Sequence, residues 1–194
     1  YDFKGFIVKK ESIKDTVGKL DNPEVLGLSC YVWNWEYSKV LAQIVKQVYP
    51  DCLVIMGGPQ VPNNSDRFFS KYPFVDLLVH GEGEITFAEV LLELLQEKPN
   101  FTTIAGLTVH IKGSMTQTAY VPGDIHLGPI EHVEWSGLKQ TIPRGRIKDL
   151  SNLPSPYLNG IFDELIKENN NWIGSWETNR GCPYPCLTLG TKVV

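Results

Sequence analysis

Three short loops carry the residues best suited to hold a large ligand: Ser29 to Asn34, Gly57 to Gln60 and His80 to Glu84. Each follows an apolar run that reads as a strand, and in open parallel sheets ligands settle beyond the C-terminal strand ends, near the point where strand order reverses. Gly57-Gly58, followed by Pro59, permits a sharp turn whose backbone N–H groups no side chain obstructs. Tyr31 and Trp33 offer flat faces to a large planar ring, while Trp35 reads first as a packing aromatic. Ser29 either donates to a ligand or bonds nearby backbone as an ordinary strand-end hydroxyl. Glu82 and Glu84 stand just ahead of a helix, where negative charge is favoured, and His80 reads as a satisfied polar residue at a strand end. A second centre is the close pair Cys182 and Cys186, whose thiolates would be soft ligands for a metal. Cys30 and Cys52 lie in or beside apolar runs and read as small buried hydrophobes.

The elements around these residues alternate between short β-branched runs and longer helical patterns, as expected of a parallel sheet flanked by helices. Strands are expected at 6–8, 25–32, 53–56 and 75–79. Residues 12–20 suggest a brief helix. Val40, Leu41, Ile44, Val45 and Val48 form one apolar stripe on a helix over 37–48, which Pro50 ends. Phe87, Val90, Leu91, Leu94 and Leu95 do the same over 85–97. Alternation from Ile104 through Gly113-Ser114 to Val121 predicts a hairpin that closes the first domain. Pro and Gly then punctuate an irregular linker, with a short helix near 161–167 and a strand over 172–178 leading to Arg180-Gly181-Cys182.

With 42% hydrophobic and 21% charged residues, the chain is ordinary for a globular protein, so neither disorder nor a fibrous repeat is indicated. A net charge of −4 argues against a sequence-independent grip on a phosphate backbone, and nucleic acid is not an expected partner. No apolar run reaches the roughly 20 residues that cross a bilayer, and the N-terminus lacks the layout of a secretion signal. No membrane partner is expected, and the setting is read as cytoplasmic.

Gly27-Leu28-Ser29-Cys30, Gly57-Gly58-Pro59 and His80-Gly81-Glu82-Gly83-Glu84 together resemble the Rossmann-like cobalamin-binding domains that precede radical S-adenosylmethionine barrels. The resemblance continues through Asp149 to Leu158 and through Glu177 to Cys186, so it covers essentially the whole chain. It implies an α/β fold, Rossmann-like and flavodoxin-like, with a doubly wound parallel sheet, a hairpin and an irregular linker. The expected organisation is a cobalamin-binding domain over 1–121, a linker over 122–171, and the start of a radical S-adenosylmethionine domain over 172–194. The chain opens at what looks like the family's second strand, so the first strand is expected to be missing and the N-terminal edge weakened or rearranged. Asp-x-His-x-x-Gly, the cobalt-ligand loop of many such domains, is not in this sequence; its place lies upstream of Tyr1.

The resemblance places the cofactor's nucleotide tail beside Ser29 and Gly57-Gly58, with Pro59, Gln60, Gly81, Glu82, Gly83 and Glu84 completing the site and the corrin over the strand ends near Tyr31 and Trp33. On this expectation Gly58 is bare to leave the tail's path open, and Glu82 has a second role open to it, a bond to a ribose or amide of the cofactor. The family holds a [4Fe-4S] cluster on Cys-x3-Cys-x2-Cys, leaving one iron for S-adenosylmethionine. Cys182 and Cys186 match the first two positions; the third is Leu189, which has no donor atom. The chain alone is therefore expected to be inactive in radical chemistry, as a fragment of an enzyme that methylates or otherwise transforms a small molecule. A zinc site completed by His110, His126 or His132 has no supporting spacing. A flavodoxin-like or receiver-like interaction domain without cobalamin is the alternative, and a dinucleotide oxidoreductase fits poorly because Gly81-Glu82-Gly83 lacks the third glycine.

Overall fold

Apolar runs too short for helices and rich in β-branched residues become the centre of a five-stranded sheet. A computed structural model describes residues 1–3, 6–7, 9–63, 65–110, 137–168, 177 and 180. The elements run α1 (Ile13–Gly18), β1 (Val25–Ser29), α2 (Trp35–Val48), β2 (Leu53–Gly57), α3 (Asp66–Lys71), β3 (Leu77–Val79), α4 (Gly83–Glu93), β4 (Leu107–His110), β5 (Leu138–Gln140) and α5 (Asp163–Glu168). The strands lie in sequence order. β1, β2 and β3 are parallel, with Val25 opposite Leu53 and Ile55 opposite Leu77, while β4 and β5 are antiparallel additions. This is the expected α/β, Rossmann-like architecture.

Because strand side chains alternate between faces, each central strand feeds two cores. Val54, Met56 and Leu78 point to one side, against Ala42 of α2 and Phe68 and Phe69 of α3. Ile55, Leu77 and Val79 point to the other, against Val90 of α4. Burial of each such side chain stabilises the fold by about 1.5–3 kcal/mol. Leu41 and Val45 of α2 cover Leu26 at the β1 end, with Ile13 and Val17 of α1 packed alongside.

Three expectations change on contact with the structure. Phe6 and Ile7 belong to no strand and are about half exposed; apolar residue type alone is a weak strand signal, because strand formation depends on context. Among the described residues nothing pairs with the outer edge of β1. α3, unforeseen in the sequence, follows Ser65 and buries Phe68 and Phe69. β4 pairs with β3 at Leu77–Val109 and with β5 at Val109–Lys139, so the stretch read as linker contributes a strand. The second arm of the expected hairpin, up to Val121, lies outside the described residues. The first compact unit runs to Arg146 and the second spans Ile147–Val194. In that second unit α5 matches the expected short helix, and the expected strand at 172–178 falls outside the described residues apart from Glu177.

Candidate functional site

β1 and β2 end side by side, with Ser29 opposite Gly57, and the chain beyond them is zipped together by backbone. Cys30 N–H donates to the Gly57 carbonyl at 2.7 Å, and Gln60 N–H donates to the Cys30 carbonyl at 3.2 Å. Gly58 takes φ +100, and a Cβ there would lie 2.7 Å from the Cys30 carbonyl oxygen. Its bareness therefore serves the approach of two backbones, not the tail's path expected from the sequence. Pro59 is exposed and Gln60 half-buried at the same turn.

The face of the rim toward α4 is where side chains are lacking. A Cβ on Gly57 would make only ordinary contact with Val79, at 3.4 Å, as would one on Gly83; one on Gly81 would meet nothing within 4 Å. Ser29 is exposed next to this surface. Glu82 occupies the N-cap position of α4 and Glu84 its first turn, so both carboxylates sit at the positive end of that helix. A solvent-open hollow of about 750 Å³, lined by Glu93, Leu95, Gln96, Glu97 and Lys98, lies at the other end of α4, roughly 15 Å away at 1.5 Å per residue.

Tyr31 and Trp33 stack on each other, centroids 4.6 Å apart and planes 10° from parallel, with Trp33 70% exposed. The loop that presents them is held by Asn34, whose amide donates to the Ser29 carbonyl at 2.8 Å and whose side-chain oxygen accepts from Tyr31 N–H at 2.7 Å. An Asn just before a helix signals such a staple; the sequence reading passed over it. Trp35 packs on Phe68, 5.8 Å between centroids, as a core aromatic.

His80 closes β3 with its N–H on the Gly106 carbonyl and its Nε2 2.7 Å from Thr108 Oγ1. Burial holds its pKa below the ordinary 6.5. Below pH 6.5 the unfolded chain takes up a proton that folded His80 resists, so its contribution is present above that pH and lost as pH falls. Denaturant midpoints between pH 7.5 and 5.5 are expected to fall more steeply in the native chain than in His80→Gln; parallel profiles would show that burial of the ring does not matter.

The thiols of Cys30 and Cys52 are buried and free, and burial pushes both up to about 11, so neither offers a thiolate at neutral pH. Cys182, Cys186 and Leu189 lie outside the described residues, as do His126 and His132. His110 is committed elsewhere, its Nδ1 3.1 Å from the Val75 carbonyl. Among the described residues no group of three or more His, Cys, Asp or Glu side chains is placed to hold a metal, and no helix is long and apolar enough to cross a membrane.

Comparison with known proteins points to one kind of ligand. Residues 2–91 match the B12 binding domain family, and that stretch includes all three rim loops. Over 190 residues the chain is 36% identical to 2-(S-pantetheinyl)-carbapenam-3-carboxylate methyltransferase of Streptantibioticus cattleyicolor, covering 96% of this chain and 24% of that protein. It is likewise 36% identical, with the same coverage, to the cobalamin-dependent radical SAM methyltransferase TokK of Streptomyces tokunonensis. An uncharacterized methyltransferase of Pyrococcus horikoshii is 25% identical over 181 residues, 93% of this chain and 34% of its own. The chain thus spans about a quarter of the length of the first two relatives.

Proposed function

We propose that the chain is a cobalamin-binding module that holds the vitamin at the rim built by Ser29, Gly57, Gly81 and Gly83, as part of a radical S-adenosylmethionine methyltransferase; the match of residues 2–91 to the B12 binding domain family supports this reading. The observation that carries the site is the bare rim. Positions 57, 81 and 83 carry no side chain at the strand ends, with room for a Cβ at each, beside the exposed Ser29 and the stacked Tyr31–Trp33 pair. Backbone N–H groups and Ser29 suit the polar tail of the ligand, and the aromatic pair suits its ring. Glu82 and Glu84 would accept from hydroxyl or amide groups at the same rim, with Pro59 and Gln60 bordering it.

When bound, cobalamin supplies a cobalt centre suited to accepting and releasing a methyl group. The chain's own residues bind and orient it. Methyl transfer is proposed from the similarity to TokK and to the carbapenam methyltransferase. For the cluster that S-adenosylmethionine chemistry needs, Cys182 and Cys186 provide two thiolates and Leu189 none; with two ligands this chain is not expected to hold a four-iron cluster by itself. The cytoplasmic setting is part of the same reading, supported by free Cys30 and Cys52, which suit a reducing compartment. No observation favours a receiver-like interaction domain.

The test is direct. Purified chain mixed with hydroxocobalamin and passed through a gel-filtration column is expected to elute with corrin absorbance at roughly one equivalent. Colourless protein peaks, from chain shown to be folded by its dichroism, would overturn the proposal.

A further inference from the structure

Three parts of the domain meet at Gly106. His80 N–H donates to its carbonyl at 2.8 Å, and its own N–H donates to the Ile142 carbonyl, also at 2.8 Å. Its φ is +82, and a Cβ there would lie 3.1 Å from Thr86 Oγ1 and 3.3 Å from Arg144 Cβ. A side chain at this point is ruled out by backbone and neighbours together.

Thr86, fully buried in the first turns of α4, donates its hydroxyl proton to the Ala105 carbonyl at 3.2 Å. Its lone pairs are then open to a donor, and Arg144 Nε fills that role at 2.8 Å. The same guanidinium reaches Glu89, one turn further along α4. Arginine's fork can serve both partners at once, whereas the single ammonium of a lysine serves one. The segment after β5 is thereby strapped across the start of α4. His80 and Thr86, which bracket the rim loop, are anchored on one node.

We infer that Arg144 is a positioning residue for the loop Gly81–Glu84: it holds that loop in its ligand-ready form before the ligand arrives. The inference rests on the reading of this rim as the corrinoid site. A loop already ordered contributes no ordering cost on binding, so loosening the strap weakens binding without touching a contact residue. Whatever moves the segment around Ile142 and Arg144 also moves the rim loop, a route by which the chain that follows can sense or set the state of the site.

Hydrogen exchange and a visible-spectrum titration with hydroxocobalamin test this on the full chain and its Arg144→Ala and Arg144→Lys variants. Arg144→Ala is expected to speed exchange of the amides at 81–86 and weaken corrinoid binding, each on the order of tenfold, the loss of one charge-assisted bond. Arg144→Lys is expected to recover part of both. Exchange across β1 and β2 stays as it was. Unchanged exchange at 81–86 in Arg144→Ala overturns the inference whatever the melting temperature does, and so does faster exchange with undiminished affinity. Should the unaltered chain bind no corrinoid, the functional reading fails on its own while the exchange comparison still judges the strap.

Discussion

Gly58→Ala is expected to lose both stability and corrinoid retention. The residue sits at φ +100, where an L side chain costs about 1–2 kcal/mol. Its Cβ would also lie 2.7 Å from the Cys30 carbonyl oxygen and 3.0 Å from the Cys30 nitrogen. Both are backbone atoms, so no rotamer change relieves the contact. The Cys30–Gly57 and Gln60–Cys30 bonds that close the rim must lengthen or break. Together these terms are worth about 2–4 kcal/mol, or a melting point lower by roughly 5–15 °C for a chain of this size. Gly57→Ala separates the two effects. Its Cβ meets only Val79, at an ordinary 3.4 Å, so stability should change by less than about 1 kcal/mol while the methyl intrudes on the bare rim and lowers corrinoid affinity. Equal melting of Gly58→Ala and the native chain would show that the two loops do not meet as described.

The second large effect lies at the opposite end of the sheet. Asp76, just before β3, accepts from Lys46 Nζ at 2.9 Å and from Val54 N–H at 2.7 Å, and Lys46 also bonds the Cys52 carbonyl. Both side chains of the pair are nearly buried, 13% and 11% exposed. Removing one member of such a pair costs about 3–5 kcal/mol, because the other charge stays buried without its partner. Asp76→Ala should therefore destabilise the chain by about that much in urea unfolding. Replacing both, as Lys46→Met with Asp76→Leu, should recover a good part of the loss. Corrinoid affinity of the folded fraction should be untouched, since Val54 stands three residues, roughly 10 Å, from the rim. A double variant no better than Asp76→Ala would mean that the pair's bond to Val54, rather than its charge, carries the stability.

Much of the scaffold was legible in the sequence because local pattern and tertiary role agree there. Leu53 to Gly57 is apolar on both faces and is covered on both faces, and Val25 to Leu28 shares the pattern with less cover. Of the stripe from Val40 to Val48, Leu41 and Val45 land on Leu26 of β1, whereas Val48 is exposed and Ala42, outside the stripe, is buried. Where role depends on distant partners, legibility ends. α3 is six residues long, and only the core gives Phe68 and Phe69 a reason to be helical. β5 shows no buried side, and its register comes from β4. Phe6 and Ile7 look like a strand by residue type and lie in none.

The site shows the same division. That glycines gather at the strand ends was readable, but which of them leaves room and which admits a backbone was not. Gly58 belongs to the second kind and Gly57 and Gly83 to the first, while Gly81 has open space around it and a φ of +70 that itself favours glycine. Arg144 left no trace in the pattern, because its partners Thr86 and Glu89 lie 58 and 55 residues away.

Backbone amide spectra recorded while cobalamin is added reach the central claim most closely. Shifts confined to Ser29–Trp33, Gly57–Gln60 and Gly81–Glu84, with Val54 and Asp76 unmoved, are the predicted outcome. Shifts that gather elsewhere, or a saturated complex in which these three loops do not respond, would contradict it.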